Sequence, residues 1–376
     1  MKQPLRFGLI GHKFMGKAHS QALQRVSFFF DTRHEPERAV LCGIEEDLPE
    51  AAARYGWRAW THSWREVVAD PKIDAIAIAT PGITHCEIAV AAAEAGKHVL
   101  CEKPLALNGR EAARMCEAAE RAGVKHLVNF NYRRAPAVQL ARQLIEQGRL
   151  GEIYYFRGTY WQDWPLDAAF PYVWRFDKTV AGAGSMADKG SHLVDLALFL
   201  AGDIVEVAAA TEIFVRERPL AGGGGRRAVT TDDAAAFVAR FGNGALGLFG
   251  TSRMSAGHKN ALGFEVNGSR GSLIFDLERL NELQVYLPEE DRATQGFRTV
   301  MVTEPVHRYV DHWWPPGHIL GWEHTFIHQY YEFLHALEED RLPAPNFRDG
   351  WKVQRVLDAV EEAAAEKRWI AVETGA

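Results

Sequence analysis

The sequence predicts an α/β N-terminal domain with a doubly wound parallel sheet, followed by an α+β C-terminal domain with a large, mainly antiparallel sheet. Short β-rich apolar runs alternate with alanine-rich helical stretches from residue 6 to about residue 131. Beyond residue 134, most apolar runs follow one another with turn signals rather than helices between them. The chain has 376 residues, 47% of them hydrophobic, which is enough for two separate cores. We therefore expect domains at 1–131 and 132–376.

Five parallel strands are expected in the first domain, because β-rich runs there are bounded by turn or helix signals. They are RFGLIG (6–11), AVLCGIE (39–45), IDAIAIAT (73–80), KHVLCEK (97–103) and KHLVNFN (125–131). One helix is expected directly after the first strand. Further helices are expected at 49–55, 85–95 and 109–122, where helical spacing of apolar residues ends at a glycine.

The second domain is expected to begin with a helix at 137–146, a strand at 153–160, an irregular tryptophan-rich stretch and a helix at 185–200. Six strands then follow, at 205–216, 234–241, 245–252, 261–267, 272–276 and 283–286, before a final helix at 349–367. Turn signals such as Gly242-Asn243-Gly244 and Asn267-Gly268 separate consecutive strands, which indicates antiparallel pairing.

Composition and charge exclude several classes of partner. The net charge is −6, with 43 basic and 49 acidic residues mixed along the chain, so there is no basic field for nucleic acid. The apolar runs are too short to cross a membrane or to act as a leader. The four cysteines and the scattered histidines lack metal-ligand spacing. We therefore expect a cytoplasmic protein that binds neither nucleic acid, membrane nor metal.

A glycine turn precedes the first helix. Gly11 ends the first strand, and Gly11 and Gly16 occupy the first and last positions of the dinucleotide fingerprint G-x-G-x-x-G, with Lys13 in the middle. In that fingerprint the pyrophosphate lies at the helix N-terminus, which predicts a Rossmann domain. The backbone N–H of Lys13 can still point inward while its side chain turns to solvent. An ordinary βα turn fits this motif equally well.

The choice of cofactor depends on the second strand. It is expected to end at Glu45, where a carboxylate is placed to accept both hydroxyl groups of an adenosine ribose. Because a carboxylate repels a 2′-phosphate, NAD is favoured over NADP. Alternatively, Glu45 is a solvated charge in the turn before Pro49, and Lys13 or nearby arginines weaken the preference.

A lysine follows the fourth strand, in Cys101-Glu102-Lys103-Pro104. This is the carboxyl edge of the sheet, where doubly wound folds bind ligands. Most lysines are solvated surface charges. An ammonium group at this edge can instead hydrogen-bond a reacting oxygen and stabilise an alkoxide-like transition state. Pro104 fixes the turn, and an X-Pro bond there can be cis.

Asp188 and His192 lie four residues apart in the helix expected at 185–200. On an α-helix this spacing puts both side chains on one face, so they can aim at one substrate oxygen. An alternative has equal weight: Ser185 and Asp188 form a capping box, and His192 is a core histidine.

An aromatic segment runs from residue 160 to residue 174. It combines three tryptophans with Gln162, Asp163 and the adjoining Arg175. Aromatic faces and polar groups together suit the CH faces and hydroxyl groups of a sugar. A packing loop that covers the sheet is the alternative.

Three motifs in this order, Gly11-x-x-x-x-Gly16, Glu102-Lys103-Pro104 and Asp188-x-x-x-His192, resemble the Gfo/Idh/MocA oxidoreductase family over essentially the whole chain. The resemblance extends to Thr80-Pro81-x-x-x-His85, and to 131–136 at the entry to the second domain. Gly82 departs from the asparagine usual in the family. Segments such as 156–160 and 174–176 look most like the members that oxidise glycosides, which implies the C3 hydroxyl of a pyranoside as the reacting group.

The resemblance implies roles for particular residues. Lys103, Asp188 and His192 would be catalytic. The residues implied at the cofactor are Gly11, Lys13, Phe14, Met15, Gly16, Glu45, Thr80, Pro81, His85, Glu102 and Lys103. Those implied at the substrate are Tyr132, Arg133, Gln162, Asp163, Trp174, Arg175 and His192.

The favoured function is an NAD-dependent sugar dehydrogenase in which His192 takes the hydroxyl proton, Lys103 holds the oxygen and Asp188 orients the histidine or the substrate. An NAD-assisted glycosidase or lyase acting through a 3-keto intermediate is the first alternative. A non-enzymatic sensor of NAD and sugar is the second, and it has no need of these three residues. The open face of an antiparallel sheet needs cover, so a homodimer or homotetramer is expected.

Overall fold

The computed structural model describes residues 2–288 and 291–373, and the chain divides into two compact units. The first unit consists of Met1–Arg134 and Gly321–Trp351, and the second of Ala135–Leu320 and Lys352–Ala376. The segment Gly321–Trp351, which the sequence placed in the second domain, is therefore grouped with the N-terminal residues. The chain leaves the first unit and later returns to it.

The first unit contains a six-stranded parallel sheet in the order β3-β2-β1-β4-β5-β6. Its elements are β1 (Gln3–Ile10), α1 (Phe14–Phe29), β2 (His34–Cys42), α2 (Leu48–Tyr55), β3 (Ala59–Thr61), α3 (Trp64–Ala69), β4 (Ala75–Ile78), α4 (His85–Glu94), β5 (His98–Cys101), α5 (Gly109–Ala122) and β6 (His126–Val128). The strand order changes direction between β1 and β4, which creates the crevice where such folds bind ligands. The predicted doubly wound fold is confirmed.

The second unit is built on a nine-stranded sheet in the order β16-β15-β14-β13-β7-β12-β11-β8-β17. The remaining elements of the chain are α6 (Pro136–Glu146), β7 (Ile153–Trp161), α7 (Lys178–Ala181), α8 (Ser191–Leu200), β8 (Ile204–Glu212), β9 (Glu217–Pro219), β10 (Arg226–Ala228), β11 (Ala234–Phe241), β12 (Leu246–Ser252), β13 (Ala261–Gly268), β14 (Ser272–Asp276), β15 (Glu282–Tyr286), β16 (Arg298–Met301), α9 (Trp322–Glu338), α10 (Phe347–Glu366) and β17 (Ile370–Ala371). Only the β7–β12 pair is parallel within this sheet. The large, mainly antiparallel sheet is thus confirmed.

A row of phenylalanines crosses five adjacent strands of this sheet. Neighbouring ring centroids are 4.3 to 6.1 Å apart, and all five side chains are buried. From β11 to β14 the residues are Phe237, Phe249, Phe156, Phe264 and Phe275. Because side chains alternate between faces along a strand, this row fixes which face of the sheet forms the core.

Helix α9 was not expected from the sequence. It belongs to the first unit, where its Tyr330 and Phe333 rings lie 5.7 and 6.2 Å from the ring of Phe7 on β1. Its buried Gln329 accepts a hydrogen bond from Arg134 and donates one to the carbonyl oxygen of Val128. The helix therefore completes the core of the first unit.

Among the predicted boundaries that differ from the structure, two bear on the candidate site. The second strand ends at Cys42, not at Glu45, and the loop begins at Gly43, where a Cβ would overlap the ring of His12. The predicted helix 185–200 is a π-helical turn, Met186–Gly190, followed by α8.

None of the described helices is long and apolar enough to cross a membrane. Within residues 2–288 and 291–373, no group of acidic, histidine and cysteine side chains is placed to hold a metal ion.

Candidate active site

The loop between β1 and α1 has the backbone that the glycine fingerprint requires. Gly11 has a φ of +103°, and a Cβ there would overlap the carbonyl of Ala79. A Cβ on Gly16 would overlap the carbonyl of Gly11. Helix α1 starts at Phe14 with no acidic residue in its first turn, so its free N–H groups suit an anion. This cradle fits the pyrophosphate of a dinucleotide.

Lys13, the residue in place of the middle glycine, directs its side chain to the loop after β2. Its Nζ lies 2.6 Å from Oδ1 of Asp47. This hydrogen bond raises the pKa of Lys13, and together with one from His12 it lowers the pKa of Asp47 to about 2. The lysine is therefore ion-paired, not simply turned to solvent.

Glu45 lies in that same loop, at residues 43–47, and its side chain is 44% exposed. One carboxylate oxygen is 3.4 Å from Nδ1 of the buried His12, whose Nε2 is 2.9 Å from Asp47. His12 thus connects the two acidic side chains to the glycine turn. The strand end was misplaced by three residues, but the acidic group still follows β2.

His85 connects the loops that follow β4 and β5. Its ring nitrogens lie 2.9 Å from the carbonyl oxygen of Thr80 and 3.0 Å from that of Pro104. Burial lowers the pKa of this histidine, although the two carbonyl groups act in the opposite direction. Pro81 lies between Thr80 and His85 and precedes a short 3-10 turn. His85 therefore holds both loops at the carboxyl edge of the sheet.

Glu102 lies in a buried network that the sequence did not reveal. His19 Nε2 is 2.9 Å from its Oε1, the Asn129 amide donates to the same oxygen, and Tyr330 OH is 3.0 Å from His19 Nδ1. Burial alone would raise the pKa of Glu102. The contacts with His19, Lys103 and Asn129 outweigh it and lower the pKa. A charged carboxylate is therefore held at the carboxyl end of β5.

Lys103 follows β5 at the predicted edge of the sheet and is half-buried. Its backbone N–H donates to Oε2 of Glu102 at 3.2 Å, and the Lys103–Pro104 peptide bond is cis. The buried Glu102 network therefore fixes the backbone that carries the lysine, and sequence reasoning had given Glu102 only a general supporting role.

Asp188 and His192 both lie in the second unit, on consecutive helical segments of different type. Asp188 belongs to the π-helical turn and is 3.1 Å from the buried Lys189 ammonium, whereas His192 is buried in α8 beside Tyr160, with ring centroids 6.2 Å apart. A π-helical turn is wider than an α-helical one, so the simple four-residue argument does not apply here. Such turns are frequent at functional sites.

Asp232 holds the start of this helical segment. Its two carboxylate oxygens accept hydrogen bonds from the backbone N–H groups of Gly184 and Met186, at 2.6 and 2.8 Å. Ser185, in contrast, makes no capping hydrogen bond, so the capping-box alternative was wrong. Burial raises the pKa of Asp232 despite these two bonds. A Cβ at Gly184 would overlap the backbone of Asp232, which explains a glycine at that position.

Two of the predicted sugar-binding residues pair with other side chains of the second unit. Gln162 donates to Asn260 at 2.8 Å. Asp163 accepts from Lys259 at 2.8 Å and from the backbone of Gly257 at 3.0 Å, and the hydrogen bond from Lys259 lowers its pKa. Asp163 therefore anchors the neighbouring loop.

Trp174 and Arg175 form a partly exposed pair, with the guanidinium 4.4 Å from the indole centroid. The backbone carbonyl of Arg175 accepts from the buried Arg253, which is itself 2.7 Å from Asp233. Arg218 and Arg253 both lie 4.6 Å from the ring of Phe176. These buried arginines, which sequence reasoning missed, fix the end of the aromatic segment.

Tyr132 and Arg133 are buried in a 3-10 turn of the first unit, Asn131–Arg134. The indole of Trp322 donates to Tyr132 OH at 3.4 Å and stacks on Phe14 with ring centroids 5.4 Å apart. Phe14, at the start of α1, is thereby linked through Trp322 to Tyr132. Met15 follows it in the first turn of the helix.

Two family descriptions match the chain. "Oxidoreductase family, NAD-binding Rossmann fold" matches residues 5–130, and "GFO/IDH/MocA C-terminal domain" matches residues 138–274. Levoglucosan dehydrogenase of Pseudarthrobacter phenanthrenivorans is 41% identical to this chain, over 98% of each protein.

Solved structures are similar along the whole chain. An oxidoreductase domain protein from Kribbella flavida has a TM-score of 0.96 at 47% identity, covering 100% of both chains. Levoglucosan dehydrogenase in complex with NADH and levoglucosan has a TM-score of 0.96 at 42% identity, covering 99% of this chain and 100% of its own. These likenesses confirm the predicted resemblance, the NAD-binding domain and the oxidoreductase class.

Proposed function

Because the chain belongs to the Gfo/Idh/MocA family of NAD-binding oxidoreductases, which act on CH–OH groups, we propose that it is a glycoside dehydrogenase. Its substrate would be a pyranoside such as levoglucosan, oxidised at the C3 hydroxyl. The observation that carries this proposal is the 41% identity to levoglucosan dehydrogenase over 98% of both chains.

In the proposed reaction, Lys103 donates a hydrogen bond to the hydroxyl oxygen at the reacting carbon. His192 removes the hydroxyl proton, and Asp188 orients His192 or the substrate. When bound, NAD accepts the hydride that leaves the same carbon. The alcohol thereby loses one proton and one hydride and becomes a ketone, while in the reverse direction His192 returns the proton.

The residues proposed to hold NAD lie in the first unit. Glu45 accepts from the adenosine ribose, and Glu102 fixes the backbone of Lys103. The residues proposed around the pyrophosphate and the nicotinamide ribose are Gly11, Lys13, Phe14, Met15, Gly16, Thr80, Pro81 and His85. Two observations support this assignment: the N-terminus of α1 has free N–H groups that suit an anion, and Gly11 and Gly16 have no room for a Cβ.

The residues proposed to bind the sugar combine aromatic faces with hydrogen-bonding groups. They are Tyr132, Arg133, Gln162, Asp163, Trp174, Arg175 and His192. The exposed pair of Trp174 and Arg175 is the best supported of these, since it offers an aromatic face and a guanidinium that are both partly open to solvent.

The proposal is tested by incubating the purified protein with NAD and a panel of pyranosides, anhydrosugars and inositols, levoglucosan included. We expect NADH to form in equal amount to a 3-keto product, detected by absorbance and by mass spectrometry. Cleavage of a glycosidic bond without net NADH would instead identify an NAD-assisted glycosidase or lyase. NAD and sugar binding with no product of either kind would identify a sensor.

We also propose that two or four copies of the chain assemble through the face of the large sheet opposite the phenylalanine row. Val238, Leu246 and Leu248 lie on that face and are 39%, 47% and 40% exposed. Exposed apolar side chains that cluster on a sheet face are commonly covered by a partner. Sedimentation velocity should give a dimer or tetramer, and Leu248→Glu should shift it toward monomer. A parent protein that is monomeric at micromolar concentration would contradict this proposal.

A further inference from the structure

The glycine turn and the loop after β2 are joined by a set of four charged or titratable side chains. Oδ1 of Asp47 lies 2.6 Å from Lys13 Nζ and 2.9 Å from His12 Nε2. The Glu45 carboxylate lies 3.4 Å from the other ring nitrogen of His12. One carboxylate oxygen of Asp47 therefore accepts from both basic side chains of the turn.

A lysine at this place would weaken the preference of an enzyme for NAD over NADP. In doubly wound folds the loop after the second strand meets the adenosine ribose, and a basic side chain nearby is what accommodates a 2′-phosphate. Lys13 reaches this loop, since its ammonium contacts Asp47. Its stem is long and its side chain is 54% exposed, and the ion pair with Asp47 holds its ammonium group at this loop.

We propose that Asp47 is a specificity-determining residue for the cofactor: it engages Lys13 and His12 and so prevents the basic turn from recruiting the 2′-phosphate of NADP. Glu45 has a different role in this proposal. It accepts hydrogen bonds from the ribose hydroxyl groups, whereas Asp47 neutralises the ammonium group of Lys13. A phosphate that came to Lys13 would have to displace a hydrogen-bonded carboxylate and then lie beside it. Both effects disfavour NADP.

The test is the substitution Asp47→Asn, which keeps the shape of the side chain and removes its charge. We expect the ratio of kcat/KM for NADP to that for NAD to rise by about tenfold or more, because a charge-assisted contact with phosphate becomes available. The binding of adenosine 2′,5′-bisphosphate, measured by calorimetry, should tighten in parallel. The second measurement requires no sugar, so it stands even if the proposed substrate is wrong.

Two further variants separate this role from a general charge effect. Glu50→Gln removes the same charge from the exposed first turn of α2, and the cofactor ratio should stay at the parent value. In the double variant Asp47→Asn with Lys13→Ala, the gain with NADP and with the bisphosphate should disappear.

An unchanged ratio in Asp47→Asn would overturn the inference. A gain that survives the removal of Lys13 would overturn it as well, since the lysine would not be the group that Asp47 restrains. An equal loss with both cofactors would do the same, because Asp47 would then support the loop without selecting between them.

Discussion

Replacing Lys103 with methionine is expected to lower kcat by about 10²- to 10⁴-fold, while NAD still binds. Methionine fills a similar volume but cannot donate a hydrogen bond to the reacting oxygen. The backbone contact between Lys103 and Glu102 is independent of the side chain, so the loop should keep its shape. The loss is measured as the rate of NADH formation at saturating sugar, and NAD affinity is measured by calorimetry.

Lys97, directly before β5, provides a matched control for this experiment. Its ammonium is buried and donates to the backbone carbonyls of Asp70 and Ile73, at 2.8 and 2.7 Å. Lys97→Met should destabilise the fold by about 1–3 kcal/mol because one buried and one partly buried carbonyl lose their donor, and kcat should stay near the parent value. If Lys103→Met kept the parent kcat, Lys103 would not be catalytic. If the variant lost only NAD affinity, Lys103 would be a cofactor-binding residue instead.

A loss of similar size, about 10²- to 10⁴-fold in kcat, is expected for His192→Ala, since no other group has been assigned to take the hydroxyl proton. His192 is buried in α8, where a proton acceptor is shielded from competing water. The measurement is again NADH formation at saturating sugar, together with thermal unfolding to verify the fold.

Ser191→Ala is the matched control for His192. Ser191 precedes the histidine, is fully buried, and its hydroxyl makes no hydrogen bond to any residue of 2–288 or 291–373. Its removal should leave both kcat and the unfolding temperature near the parent values. A His192→Ala variant that retained the parent rate would exclude this residue as the base, and a variant that was inactive only because it unfolded would be recognised by its melting curve.

Most of the fold followed from hydrophobic periodicity and turn residues, but α9 did not. Four polar residues lie on the buried side of that helix, Thr325, His328, Gln329 and Glu332, and they interrupt the apolar stripe by which a helix is recognised. They are buried because the first unit supplies their partners. Asn131 donates to Thr325, and Gln329 donates to the carbonyl of Val128. Those partners are distant in sequence and could not be deduced from it.

In the candidate site, too, some features could be predicted from the sequence and others could not. Lys103 could be placed because the carboxyl ends of parallel strands share one edge. The network around Glu102 could not, since His19 is 83 positions from Glu102 and 311 from Tyr330. Likewise, the spacing of Asp188 and His192 presumes a regular α-helix, whereas the carboxylate of Asp232, in the loop before β11, holds a π-helical turn there. Local patterns predict elements, and long-range hydrogen bonds then decide their geometry.

The return of the chain to the first unit has a consequence for its biosynthesis. A ribosome that has released residue 134 has made the whole parallel sheet, but it has not yet made the helix whose Tyr330 and Phe333 cover Phe7. All of Ala135–Leu320 is synthesised in the interval. During that interval the nascent N-terminal segment carries an apolar surface around Phe7 that is covered only when α9 emerges.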